Sequence, residues 1–140
     1  MASAAVAAIG TLFKIGDGGS PETFTTIAEV KDIDGPGRTA DTIEVTSMDS
    51  TGGYKEYIPS LKDGGEVSFD MNFTTSAAQA ALVTDFENRT KRNFKIVTTH
   101  ATPKNISFSG YITDLSYSFE VAGVAMRSVT IKITGPVTEA

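Results

Sequence analysis

The stretch that decides the fold is Glu66-Val67-Ser68-Phe69-Asp70-Met71-Asn72-Phe73, followed after two threonines by Ser76-Ala77-Ala78-Gln79-Ala80-Ala81-Leu82. The first part alternates strictly between apolar and polar side chains, which predicts a β-strand with one buried face. The second part begins with Ser and has Gln three residues later, which is the pattern of a helix capping box. Ala78, Leu82 and Phe86 then recur at four-residue spacing. The spacing predicts a helix whose apolar stripe lies against a sheet.

Alternating apolar stretches on both sides of this pair predict further strands. We expect them at residues 11–15, 24–33, 39–47, 94–98, 106–121 and 124–134. A bulge or twist is expected near Ala28, and a second bulge at Thr113-Asp114, where the alternation changes parity. The order of strands, one helix and strands predicts an α+β, mainly β fold, a β-sandwich or barrel with one flanking α-helix. We expect an N-terminal arm at residues 1–9, a single domain at 10–135 and a C-terminal tail at 136–140.

The composition argues against several classes of chemistry. The 140 residues include no Cys, no Trp and one His, so thiolate or polyhistidine metal sites and cysteine nucleophiles are excluded. The later acidic ligands of a calcium loop do not follow Asp32-Ile33-Asp34-Gly35. The sequence shows no pattern of a catalytic carboxylate pair or of a Ser-His-Asp set. No apolar run approaches the length of a membrane-spanning helix. We therefore expect no enzyme, no cofactor, no metal and no membrane partner.

Charge is distributed unevenly along the chain, whose net charge is −5. Residues 1–70 carry a net of −7, and residues 71–140 carry a net of +2. Two interpretations stay open: complementary poles for head-to-tail association, or a chance scatter of well-solvated charges. The acidic total argues against a protein that wraps nucleic acid.

Two further segments are candidates for contact with a partner. Residues 48–65 show no strong periodicity yet carry aromatic and aliphatic side chains, so we expect a long loop that needs a partner. A basic group, Arg89, Lys91, Arg92 and Lys95, follows the helix. It either interacts favourably with the helix C-terminus and water, or forms half of an electrostatic contact with an acidic neighbouring subunit. The aromatic residues Phe108, Tyr117 and Phe119 are expected in the core.

Several landmarks in order resemble the tail tube (major tail) proteins of long-tailed bacteriophages. They are the opening residues 9–18 (IGTLFKIGDG), residues 27–33 (IAEVKDI) before Gly35-Pro36-Gly37, residues 38–46 (RTADTIEVT), the helix after the Phe69–Phe73 strand, and residues 128–135 (SVTIKITG). The resemblance implies a β-sandwich with a flanking helix. It also implies six copies to a ring, and rings stacked head to tail into a hollow tube that conducts DNA.

Site residues and partners follow from the same resemblance. Residues 48–59 would be an inter-subunit loop that contacts a neighbour through Met48, Tyr54, Lys55, Tyr57 and Ile58, and residues 1–9 an arm that orders on assembly. Asp41 and Glu44 would be acids of a lumen that repels DNA and lets it pass without specific binding. The implied partners are further copies of the chain, tail initiator and terminator proteins and a tape-measure protein. The implied location is the virion tail, after synthesis in the host bacterial cytoplasm.

Two alternatives remain from the sequence. A tube protein of a phage-like bacteriocin or of a secretion or injection machine would share this architecture. A monomeric ligand-binding β-sandwich would be a soluble monomer with affinity for a sugar, although the chain has no Trp to serve as a sugar platform.

Overall fold

The computed structural model describes residues 5–19 and 21–140, so the first four residues of the expected N-terminal arm lie outside it. Within these residues the chain forms nine strands, one α-helix and a short 3-10 turn at Thr51–Gly53. The elements are β1 Leu12–Gly16, β2 Phe24–Thr26, β3 Val30–Asp34, β4 Thr39–Glu44, β5 Tyr57–Asp63, β6 Glu66–Asn72, α1 Ala77–Asn88, β7 Arg92–Val97, β8 Asn105–Ser118 and β9 Met126–Glu139.

Seven of the strands form one antiparallel sheet in the order β2-β1-β7-β8-β9-β6-β3. The two edge strands, β2 and β3, are consecutive in the chain and are joined by only residues 27–29. A link this short spans at most about 14 Å, so the two edges of the sheet must lie close together. The sheet therefore folds round on itself into a β-sandwich, as the order of elements predicted.

The prediction of one continuous strand over residues 24–33 is corrected by this closure. Glu29, with φ 56, lies at the corner between β2 and β3. The Ile27 amide donates to Phe13 O at 2.9 Å beside one edge, and the Asn72 amide donates to Glu29 O at 3.1 Å beside the other. The irregularity expected near Ala28 is thus a crossing between the two edges of the sheet, rather than a bulge within one strand.

Phenylalanine side chains fill the interior of the sandwich. Phe13 on β1 and Phe69 on β6 are not neighbours in the sheet, yet their ring centroids are 4.3 Å apart. Phe94 and Phe108 stack beside them with centroids 5.8 Å apart. The alternate residues of β6 face this core as predicted, since Val67, Phe69 and Met71 are all buried.

Helix α1 begins as its capping sequence predicts, because the Ser76 hydroxyl accepts the Gln79 amide. The predicted apolar stripe is only partly confirmed. Leu82 is buried, but Phe86 is 39% exposed, and the buried side of the helix carries the polar residues Gln79 and Asp85. The helix ends at Asn88, because Arg89 adopts a left-handed conformation with φ 54.

The long β8–β9 hairpin confirms one expectation from the sequence and corrects another. The bulge predicted at Thr113-Asp114 is confirmed, since the register of β8 against β9 shifts between Ile112 and Asp114. The expected C-terminal tail, residues 136–140, is mostly strand instead. β9 continues to Glu139, which pairs with Ile106 on β8. Pairing with β8 supplies hydrogen-bond partners to these residues. The alternation of apolar residues stops at Gly135 and therefore does not predict this part of β9.

Candidate assembly interface

Strands β4 and β5 form a separate antiparallel hairpin outside the main sheet. The residues expected to form a long loop without an element therefore include a strand, β5. The strand predicted at residues 39–47 is present as β4, but every residue of β4 is exposed, whereas an alternating pattern indicates one buried face. The alternation of Ile43 and Val45 did signal an apolar face, but in the described part of the chain no element covers that face.

The two faces of this hairpin differ in character. Cross-strand pairing sets Ile43 against Ile58, and the Val45 amide donates to Glu56 O at 2.8 Å. Residues at alternate positions of a strand share a face, so Asp41 lies with Ile43 and Val45. The apolar-acidic face therefore comprises Asp41, Ile43, Val45, Glu56 and Ile58. Its three aliphatic side chains are 44–49% exposed.

The opposite face carries Glu44 and Tyr57, which are cross-strand partners. The irregularity in the hairpin register places one extra residue in β5, opposite Asp41, and leaves the alternation of β4 unbroken. Asp41 and Glu44 are three residues apart on that strand and therefore point to opposite faces. One flat surface, such as the wall of a lumen, cannot be lined by both acids.

The hairpin tip is held by local hydrogen bonds. The Ser50 hydroxyl donates to Glu56 Oε2 at 2.8 Å, and the Glu56 amide donates to Thr46 Oγ1 at 2.8 Å. Met48 and Tyr54 project from this tip with no cover from the rest of the described chain; Tyr54 is 77% exposed. The five residues expected at an inter-subunit loop thus lie on one projecting element. They are Met48, Tyr54, Lys55, Tyr57 and Ile58.

The base of the hairpin is fastened to β9. Lys132 Nζ lies 3.7 Å from Asp63 Oδ2, and the Gly65 amide donates to Asp63 Oδ1 at 2.9 Å. The hydrogen bond from the Gly65 amide, followed by the charge of Lys132, lowers the pKa of Asp63 below its usual value. Gly65 has φ 77, and a Cβ there would overlap the Gly37 carbonyl. This close approach requires glycine where the hairpin joins the sheet.

Two of the four residues in the basic group that follows the helix have partners within the chain. Arg92 Nε pairs with Asp85 Oδ2 at 3.0 Å, and its Nη1 donates to Asp17 O at 3.1 Å. Lys95 Nζ lies 4.2 Å from the centre of the Phe24 ring. Arg92 and Lys95 therefore have partners within the chain, whereas Arg89 and Lys91 are exposed.

A second exposed surface lies at the turn end of the β8–β9 hairpin. Phe108 is buried as expected, but Tyr117 is 47% and Phe119 71% exposed, so their assignment to the core was wrong. Both lie tilted against the Phe73 ring, at centroid distances of 5.6 and 6.2 Å, and they stack on each other at 6.3 Å. We call Phe73, Tyr117 and Phe119 the aromatic patch. The parity change at Thr113-Asp114 could not have indicated it, because Tyr117 pairs with the buried Arg127 and lies on the core-facing side of β8.

Arg127 lies beneath the aromatic patch. Its guanidinium carbon is 4.2 Å from the Phe73 ring centre and 5.4 Å from that of Tyr117, and the residue is only 5% exposed. Nη1 donates to Gln79 O at 3.2 Å. Among residues 5–19 and 21–140, no acceptor pairs with the buried Nε, and no carboxylate forms a salt bridge with this residue.

The described residues contain no group of three or more His, Asp or Glu side chains arranged to hold a metal ion. In the same part of the chain, no helix combines the length and apolar character required to cross a membrane.

Residues 10–140 match the family model of the lambda phage tail tube protein. The chain belongs to the lambda phage tail tube protein family. It is a structural protein of the virion tail. This match over nearly the whole chain favours a tube subunit over a monomeric ligand-binding sandwich. No curated protein sequence matches this tail tube protein significantly.

Solved structures share the fold at low sequence identity. The tail of an empty gene transfer agent particle, refined with C6 symmetry, is 19% identical with a TM-score of 0.79, covering 97% of this chain and 99% of that chain. The sheath/tube terminator of an extracellular contractile injection system is 15% identical with a TM-score of 0.75, covering 100% and 99%. The SPP1 tail tube is 12% identical with a TM-score of 0.66, covering 92% and 75%.

Proposed function

We propose that this tail tube protein forms hexameric rings that stack head to tail into a hollow tube, through which DNA passes without specific binding. The observation that carries the proposal is the β4–β5 hairpin, a projecting element with apolar side chains that the described chain leaves uncovered. Burying such surface in a neighbouring copy is favourable by about 25 cal/mol per Å². The C6 symmetry of the similar gene transfer agent tail supports six copies to a ring.

The roles of individual residues follow from the two faces of the hairpin. Met48, Tyr54, Lys55, Tyr57 and Ile58 contact a neighbouring subunit. Glu44, on the face opposite the three aliphatic residues, is the candidate lumen acid, and Asp41 is assigned to the subunit contact instead. Arg89 and Lys91 are the members of the basic group that remain free for an inter-subunit contact.

The wider setting of the proposal is a phage tail. The protein is made in the host bacterial cytoplasm and assembles with tail initiator, terminator and tape-measure proteins. It has no catalytic activity. A second candidate function, the tube of an injection machine, is favoured by the similarity to the terminator of a contractile injection system.

Negative-stain electron microscopy of the concentrated full-length protein tests the proposal. We expect hollow tubes or rings of uniform width with six-fold symmetry. Fragments of a tail initiator complex, added to one half of the sample, serve to nucleate assembly. Protein that stays monomeric by sedimentation in both halves would contradict the proposed function.

A further inference from the structure

The aromatic patch and the hairpin lie at opposite ends of the same pair of strands. The β6–β9 ladder runs from Asn72 paired with Met126 to Glu66 paired with Lys132. Beside the first pair, the Phe73 amide donates to Ala125 O at 2.9 Å, and the patch begins there. Beside the second pair, Lys132 holds the base of the hairpin. Six residues of β9 separate the two positions, about 20 Å along the strand.

Arg127 gives the patch a specific chemical requirement. Burying a guanidinium costs desolvation free energy, which the bond to Gln79 O and the contacts with two aromatic rings offset only in part. No carboxylate pairs with it, and its Nε lacks an acceptor within the described chain. The guanidinium lies against the rings of Phe73 and Tyr117, which are themselves 37% and 47% exposed. The surface therefore suits a partner that offers aliphatic side chains for the rings together with a carboxylate for the guanidinium.

The apolar-acidic face of the hairpin has this composition. Ile43, Val45 and Ile58 are half-exposed on it, and Asp41 and Glu56 lie among them. A head-to-tail assembly needs two different surfaces that complement each other, one at each end of the subunit. We propose that the aromatic patch and Arg127 of one copy receive the apolar-acidic face of the hairpin of a second copy, with Asp41 or Glu56 pairing with Arg127. This inference rests on the proposed function and specifies its stacking contact.

Substitution of Arg127 separates an assembly role from a structural one. We expect Arg127→Met to raise the protein concentration required for tube formation at least tenfold while the Tm of the monomer stays the same or increases, because an apolar side chain replaces a buried charge that has no carboxylate partner among the described residues. Arg127→Lys should restore part of the assembly. The matched control is Arg92→Met, which breaks an ion pair within the chain. It should lower the Tm and change the assembly concentration less than twofold.

Cross-linking tests the geometry directly, since the chain has no cysteine of its own. One variant carries Val121→Cys, beside the patch, and the other carries Ile58→Cys. The two variants are mixed, assembled together with an equal amount of wild-type protein, and then treated with a short bismaleimide. We expect cross-linked dimers at least fivefold more abundant than with Thr42→Cys, which lies on the other hairpin face.

The outcomes distinguish the two proposals. The inference would be overturned if tubes form but the Ile58 cross-link is not preferred. It would also be overturned if Arg127→Met assembles at the same concentration as the wild-type protein. Either outcome leaves the tube function standing. Failure of the wild-type protein to assemble with the tail initiator would overturn both.

Discussion

Three hydrogen bonds from the side chain of Gln79 tie helix α1 to the sheet. Its Nε2 donates to Ala28 O at 3.0 Å and to Asn72 O at 2.9 Å, and its Oε1 accepts the Thr74 amide at 3.0 Å. These backbone groups belong to the crossing between β2 and β3 and to the link from β6 into the helix. Gln79 thus satisfies the backbone at the point where the sandwich closes, and its own backbone carbonyl accepts from Arg127.

Replacing this amide tests how much the closure depends on it. Gln79→Leu keeps the side-chain volume but leaves three backbone groups without their partner, and we expect the free energy of unfolding to fall by about 3 kcal/mol. Chemical denaturation followed by circular dichroism measures the change. Ala80→Leu, on the exposed side of the same helix, is the control, with an expected change within about 0.5 kcal/mol. Equal stability of both variants would show that the hydrogen bonds of Gln79 are not required.

At the scale of elements, the β4–β5 hairpin is held at its base, and among the described residues nothing else covers its strands. Each residue of the two strands is exposed, so the hairpin contributes little core burial to the single chain. Its aliphatic side chains become important only where another surface covers them. Substitutions on the hairpin should therefore separate folding from assembly.

The double substitution Ile43→Ser and Ile58→Ser tests that separation. The two side chains are about half exposed in the monomer, so we expect the Tm to change by less than about 3 °C. Each side chain removed should cost about 1 kcal/mol at every subunit contact, and tubes should fail to form at concentrations where the wild-type protein assembles. Thermal melting and negative-stain microscopy provide the measurements. Thr42→Ser, on the opposite face, is the control; tubes of normal yield from the double variant would contradict the role of this face.

At the scale of the whole molecule, the two uncovered surfaces lie at opposite ends of the β6–β9 ladder, which gives the subunit a direction. A subunit with different ends adds to a growing assembly in one orientation and forms an open stack rather than a closed dimer. In a stack of rings, any acid that faces the lumen is repeated around each ring. Such a ring of negative charge repels the phosphates of DNA and reduces adhesion during passage.

A change of charge at Glu44 tests which face of the hairpin lines the lumen. Tubes of Glu44→Lys should retain double-stranded DNA at low salt and release it as the ionic strength increases, because each ring then presents a ring of positive charges to phosphate. Co-sedimentation of tubes with labelled DNA measures retention. The control is Glu87→Lys, on the exposed side of α1, which changes the net charge equally. Equal retention by the two variants would show that Glu44 does not face the lumen.

Much of the local structure was predictable because it depends on neighbouring residues. The alternation of Val67, Phe69 and Met71 determines which face of β6 is buried, and Ser76 starts the helix through a bond to Gln79 three residues away. The parity change at Thr113-Asp114 likewise marks the bulge in β8. Each of these features is encoded within one short stretch of chain.

The surfaces were harder to predict because exposure depends on what the rest of the fold covers. Ile43 and Tyr117 stand in alternating patterns like those of core residues, yet both are exposed. The strand β5 was missed because Pro59 and the extra residue in its register interrupt its periodicity.

By itself, the sequence determined the class of fold, the start of the helix, the main core strand and the family to which the chain belongs, because these depend on local periodicity, capping and the order of motifs. Only the tertiary structure decided that β2 and β3 close the sandwich, that Arg92 is paired with Asp85 while Arg127 has no carboxylate among the described residues, and that Asp41 and Glu44 face opposite ways. These properties depend on contacts between residues far apart in the chain, and on the register of paired strands, which no single stretch of sequence specifies.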